Sequence, residues 1–187
     1  MSLFRYMLDY NASFFIQLKG KKMSEMLSEL TKTETDISHD FDFLFGTWRV
    51  ENKILTRRLE GSNDWQTFEA TQHCAPVLGG LGNTDEMVSL EGKPIGMSLR
   101  FLNRETQQWH IYWVSYRDGV MQPPVIGQFK DGVGIFENTD TWMGKPIMVR
   151  FLWTNLDTIP QWEQFFSADN GQTWEKNWEM RFIRIQD

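Results

Sequence analysis

From Phe41 onward, apolar and polar positions alternate in short runs. Trp48, Val50, Asn52 and Ile54 share one side of the first run. Met97, Leu99 and Phe101 form a second, and Trp109, Ile111 and Trp113 a third. Val149, Phe151 and Trp153 follow, then Trp162, Gln164 and Phe166, then Trp178, Met180 and Phe182. A repeat of two is the signature of strands with one buried face. Turn signals punctuate the runs at Gly61–Asp64, Gly79–Gly82, Asn103–Thr106, Lys130–Gly132, Gly144–Pro146 and Asp169–Gly171. The spacing predicts eight to ten antiparallel strands. A meander of that length hides its edges by closing into a barrel. Pairing the apolar faces of the second and third runs puts Arg100, His110 and Tyr112 outside, and a slip of one residue reverses them.

Residues 1–40 break this pattern and are read as an N-terminal extension, partly helical or disordered, ahead of a barrel domain over 41–187. Met26, Leu27 and Leu30 recur at helical spacing. Thr31 to Asp40 reads as a polar linker. The first 22 residues carry a net charge of +3 within a chain of −6. Their longest apolar run is Phe14-Phe15-Ile16, too short for a secretory signal. Whether Met23 is the natural start stays open.

Composition narrows the function. The acidic balance, with a pI near 5.1, offers no footprint for nucleic acid. No apolar run reaches the ~20 residues of a membrane span, and a cytoplasmic location is expected. The single cysteine, Cys74, excludes an internal disulfide and a cysteine-built zinc site. The three histidines, His39, His73 and His110, fall into no metal-binding spacing, and on a strand His73 and Cys74 point to opposite sides. No metal or cofactor is expected. The outstanding feature is aromatic: nine Trp and fourteen Phe in 187 residues.

The segment Phe41-Asp-Phe-Leu-Phe-Gly46-Thr-Trp48 opens the β region. A Gly-x-Trp on the first strand of a β meander resembles the calycins: lipocalins, fatty-acid-binding proteins and bacterial relatives. Gly79–Asn83, Gly96–Arg100, Trp109–Trp113, Pro123-Pro124 with Gly127, and Trp174–Trp178 extend the likeness to one group of bacterial calycin-like proteins, over about residues 41–184. The resemblance implies a lipocalin-like barrel and no particular activity. It also implies that Trp48 covers the closed barrel end beneath an arginine of the last strand, for which Arg184 is the match and Arg181 the second choice. A haem-binding calycin resembling nitrobindin would need a histidine late in the chain, and none follows His110.

Other motifs have plainer explanations. Ser167–Trp174 matches an Asp-box, which a sialidase carries in several copies; one copy marks a stable hairpin. Gly79-Gly80-Leu81-Gly82 lacks the Lys-Ser/Thr of a phosphate loop. The expected function is binding of a small hydrophobic or amphipathic molecule inside the barrel. Its wall would hold Asn52, Asp85, Glu86, Trp109, Trp113, Trp162 and Gln164, a few polar groups among many aromatics. Gln164 would bond to Asn52, to Asp85 or Glu86, to water, to a ligand, or simply within the core. Two alternatives stay open. An enzyme could use Asp85 or Glu86 as an acid/base group, with Arg100 or Tyr112 orienting substrate in a slipped register. A structural or partner protein could instead have a filled barrel. A homodimer is also left open.

Overall fold

A computed structural model describes residues 36–185; the helix expected near Met26 and the question of Met23 lie outside the described residues. Ten antiparallel strands form one closed barrel in which each strand pairs with its sequence neighbour, and β1 closes on β10. The strands are β1 (Gly46–Leu55), β2 (Trp65–Val77), β3 (Gly82–Ser89), β4 (Pro94–Asn103) and β5 (Gln108–Ser115). They continue as β6 (Val125–Lys130), β7 (Val133–Trp142), β8 (Lys145–Thr154), β9 (Gln161–Ser167) and β10 (Glu175–Arg184). Closure leaves no strand edge unpaired, as the alternation requires.

One end of the barrel is plugged. Two 3-10 turns, Ile37–His39 and Asp42–Leu44, precede β1. Phe41 and Leu44 are fully buried. The Phe41 ring lies edge-on to Trp109 and to Phe129, both at 4.9 Å. Ile37 and Asp40, read above as the end of a polar linker, belong to this plug: the Trp109 indole N–H donates to Ile37 O at 3.2 Å and Asp40 Oδ2 at 3.3 Å. The linkage runs through the Ile37 backbone carbonyl and the Asp40 carboxylate, and Ile37 also packs against the core, none of which a polar stretch signals.

Gly46 shows why the first strand begins as it does. Its φ of +110° suits only glycine, and a side chain there would meet Arg184 Nη1 at 2.8 Å. Arg184 lies over the Trp48 ring, its guanidinium carbon 4.1 Å from the centroid. It also donates to Phe45 O at 2.7 Å and Phe43 O at 2.9 Å. The Trp48 N–H donates to Leu44 O at 2.7 Å. The last strand, the first strand and the plug are thereby tied together.

The register of β4 differs from the sequence expectation. Ser98 pairs with Trp113, Arg100 with Ile111 and Leu102 with Trp109. Directly opposed residues share a face, so Ser98, Arg100 and Leu102 point inward and are buried, while Met97, Leu99 and Phe101 face out, half-buried. Arg100 is therefore an interior residue, whereas His110 and Tyr112 lie outside as expected. The turn sets this parity. Asn103 and Gln108 pair, leaving four residues between them. Asn103 Oδ1 accepts the N–H groups of Glu105 at 2.9 Å and Thr106 at 3.2 Å, and Gln107 takes φ 54°. Matching apolar with apolar would need an odd number of residues there.

Candidate functional site

The inward face of β4 begins with small residues, and that makes room. A side chain on Gly96 would meet the Trp113 ring at 2.3 Å. With Ser98 next inward, the wall here is thin. Above the plug the interior is a cavity of about 1170 Å³. Its deep wall includes Trp113, Phe151, Trp153, Trp162 and Trp178, with Arg100. The mouth lies at the opposite end from the plug. Exposed apolar side chains stand in the connections there: Leu90 between β3 and β4, Tyr116, Val120 and Met121 between β5 and β6, and Met143 between β7 and β8.

The aromatic wall is built edge to face, the arrangement ring quadrupoles favour. Trp178 is edge-on to Trp162 at 5.5 Å and to Trp113 at 6.1 Å. Phe151 meets Trp162 at 4.8 Å. The four rings form a continuous chain along the lining, with Trp162 and Trp178 each held by two neighbours.

At the floor sits a buried ion pair. Arg100 Nη1 donates to Asp85 Oδ2 and, at 2.9 Å, to Asn83 Oδ1; the side chains of Arg100 and Asp85 are 4% and 1% exposed. The guanidinium also stands 5.4 Å from the Phe41 ring, so the pair rests on the plug. Cys74 joins this group, its Sγ 3.7 Å from Asn83 Oδ1. Burial pushes its thiol up to about 12, with Arg100 opposing the shift and Asp85 adding to it. The thiol is thus kept protonated, which makes it a poor nucleophile. His73, its neighbour, lies on the exposed face beside Thr47.

The sequence-derived wall residues are distributed as follows. Trp113, Trp162 and Gln164 line the one cavity. Asn52 is buried behind that wall: its Oδ1 accepts from the Trp178 indole at 3.0 Å, and its Nδ2 donates to Val50 O at 3.1 Å. Asp85 also stands behind the wall and reaches the cavity through Arg100. Glu86 has to be corrected. It follows Asp85 on β3, points to the outer face and is exposed, because adjacent strand residues cannot share a side. Trp109 also requires correction: it is 1% exposed and packs against Phe41 in the plug rather than lining the cavity.

Gln164 bonds within the protein, donating through Nε2 to Asn177 Oδ1 at 2.7 Å. Asn177 is fully buried where the β9–β10 register shifts between Lys176 and Trp178. The shift turns an asparagine inward one position before Trp178, beyond the reach of a strict repeat of two. Sequence reasoning missed it, and missed Arg58. The latter sits in the β1–β2 connection and reaches the cavity wall, its guanidinium carbon 5.2 Å from the Trp142 ring and 5.4 Å from Phe166. A two-arginine sequence before a turn is the one signal that could have drawn attention to it.

No group of three or more His, Cys, Asp or Glu among the described residues could hold a metal ion. No helix among them is long and apolar enough to cross a membrane.

These features define a plugged antiparallel barrel with an aromatic cavity. No family model matches the chain, and no curated protein matches it. Among solved structures it is similar to one titled "Crystal Structure of Rv2717c from M. tuberculosis". The identity is 13%, the match covers 81% of this chain and 99% of that one, and the TM-score is 0.49. At that score the likeness assigns nothing to this chain.

Proposed function

We propose that the barrel binds a small hydrophobic or amphipathic molecule in its aromatic cavity. The observation that carries this reading is the cavity of about 1170 Å³, walled by Trp, Phe and Met side chains. Ligand pockets span roughly 300–1,000 Å³, so this volume argues against a filled, purely structural barrel. The Gly46-x-Trp48 start, with Arg184 over the indole, supports placing the barrel with the calycins. The acid/base alternative loses one of its two carboxylates, since Glu86 faces outward, and the other, Asp85, is engaged by Arg100.

Titration with the neutral apolar probe N-phenyl-1-naphthylamine tests the reading. Saturable quenching of Trp fluorescence is expected, with energy transfer to the probe. Quenching that rises linearly without saturation would sink the proposal.

A further inference from the structure

We propose that the ligand is an anionic amphipath held head-outward: Arg58 at the mouth receives its charged group, and its apolar body lies along the aromatic wall. This rests on the cavity-binding reading above and adds the ligand's charge and direction.

The cavity contains two arginines in opposite circumstances. Arg100 at the floor is already engaged by Asp85 and Asn83. An anionic head placed there would face Asp85 as well as the guanidinium, and would lose its hydration for no net opposite charge. Arg58 is stacked on Trp142 and Phe166, and among the described residues no carboxylate lies within ion-pair distance of it. Glu175 acts on Arg58 through space but makes no ion pair with it; its Oε1 accepts the Leu59 N–H at 2.6 Å, which pins the β1–β2 connection to β10. Burial lowers the Arg58 pKa from its ordinary value, with Glu175 opposing, yet an arginine stays charged. A partly desolvated cation fixed over two rings is well placed to receive an anion, because little side-chain freedom remains to be lost.

Two further observations agree. The indole N–H of Trp142, the ring that Arg58 covers, has no hydrogen-bond partner among the described residues. The charged residues in the cavity wall are Arg58, Arg100, Arg117 and Asp140. With Arg100 neutralised by Asp85, the cavity wall at the mouth itself presents Arg58 and Arg117 against Asp140.

The test compares two ligands that differ in head-group charge. Sodium dodecanoate and methyl dodecanoate each displace N-phenyl-1-naphthylamine at pH 8 from the wild type and from Arg58→Gln, Arg58→Lys and Arg117→Gln. Wild type should prefer dodecanoate about tenfold or more, the range of a charge-assisted hydrogen bond. Arg58→Gln should abolish the preference and leave the ester within about twofold; Arg58→Lys should retain part of it; Arg117→Gln should retain most. A probe that never binds saturably defeats the cavity reading itself. Equal affinity for the two ligands in wild type, or a preference that survives Arg58→Gln, overturns the head-outward proposal and leaves the cavity reading standing. Thermal melts confirm that each variant folds. Should Arg58→Gln not fold, the Lys variant and salt decide: a wild-type preference unchanged from low to high salt overturns the proposal.

Discussion

The two ends of the barrel use the same contact for different ends. At the plugged end Arg184 lies over Trp48 and spends its donors on the carbonyls of Phe43 and Phe45. At the open end Arg58 lies over Trp142 and Phe166 with neither a carbonyl nor a carboxylate bonded to it among the described residues. A guanidinium over a ring is attracted by the ring's quadrupole in both places. The difference lies in what the N–H groups meet. Where they meet fixed backbone, the arginine is a clamp. Where they meet neither, the donors are left open to a ligand, as proposed for Arg58. Arg100, between the two ends, is a third case: buried, ion-paired, and part of both floor and cavity wall.

The largest effect expected from disturbing this arrangement is at Arg100. Arg100→Met leaves Asp85 buried without its partner, which costs about 3–5 kcal/mol. For a chain of this size each kcal/mol lowers Tm by roughly 2–4 °C, so calorimetry should record a fall of about 10 °C. Adding Asp85→Asn should recover much of it, because the stranded charge is then gone. A single mutant as stable as wild type would mean the pair is more hydrated than its burial implies.

Next comes Gln164→Leu. It removes the bond to Asn177 and leaves a buried amide unpaired, for a loss of about 1–3 kcal/mol by urea denaturation. Probe affinity should follow stability. A variant that keeps its stability but binds less would instead place Gln164 on the ligand.

Arg184→Ala should cost about 0.5–2 kcal/mol, the worth of a cation–π contact. It should leave probe affinity within about twofold, since the clamp lies beyond the plug from the cavity. Arg58→Gln is its counterpart: a comparable loss of about 0.5–2 kcal/mol from its ring contacts, but with loss of preference for the anionic ligand. A variant pair that failed to separate in this way would remove the contrast between the ends.

The smallest effect is at the β9–β10 hairpin of the open end. Asp169 accepts from the Thr173 hydroxyl at 2.6 Å and its N–H at 2.9 Å, from the Ser167 hydroxyl at 2.7 Å, and from the Gln172 N–H at 3.1 Å. These bonds, Thr173's first, lower its pKa to about 2. An aspartate depressed on folding contributes stability above its unfolded pKa, about 3.9, and loses it as the pH falls through about 2. The Tm gap between wild type and Asp169→Asn should therefore be constant above about pH 5 and close toward pH 2. A gap independent of pH would mean the turn holds without the carboxylate's charge.

The barrel was legible because all but one of the alternating runs read from the sequence carry their apolar residues on the inner face. β4 is the exception, and it forms the thin part of the cavity wall. There Gly96, Ser98 and Arg100 face in, while the more apolar Met97, Leu99 and Phe101 face out. A cavity wall with an ion pair needs small and polar residues inside, so hydrophobicity points the wrong way at the place where function is proposed. Trp109 misled for a related reason. It does face inward, but the interior at its level is occupied by Phe41, and alternation says which side a residue faces without saying what fills that side.

What the sequence by itself determined is the set of local properties: strand positions, turns, the glycine at the start of β1, and an interior rich in aromatic rings. These follow from backbone sterics and a repeat of two, which act within a few residues. Tertiary structure alone decided the parity of β4, the inward turn of Asn177, the exit of Glu86 from the site, and the meeting of Arg58 with rings from β7 and β9. Each depends on which residues lie opposite one another across the closed sheet, and closure couples positions more than a hundred residues apart, from Gly46 to Arg184.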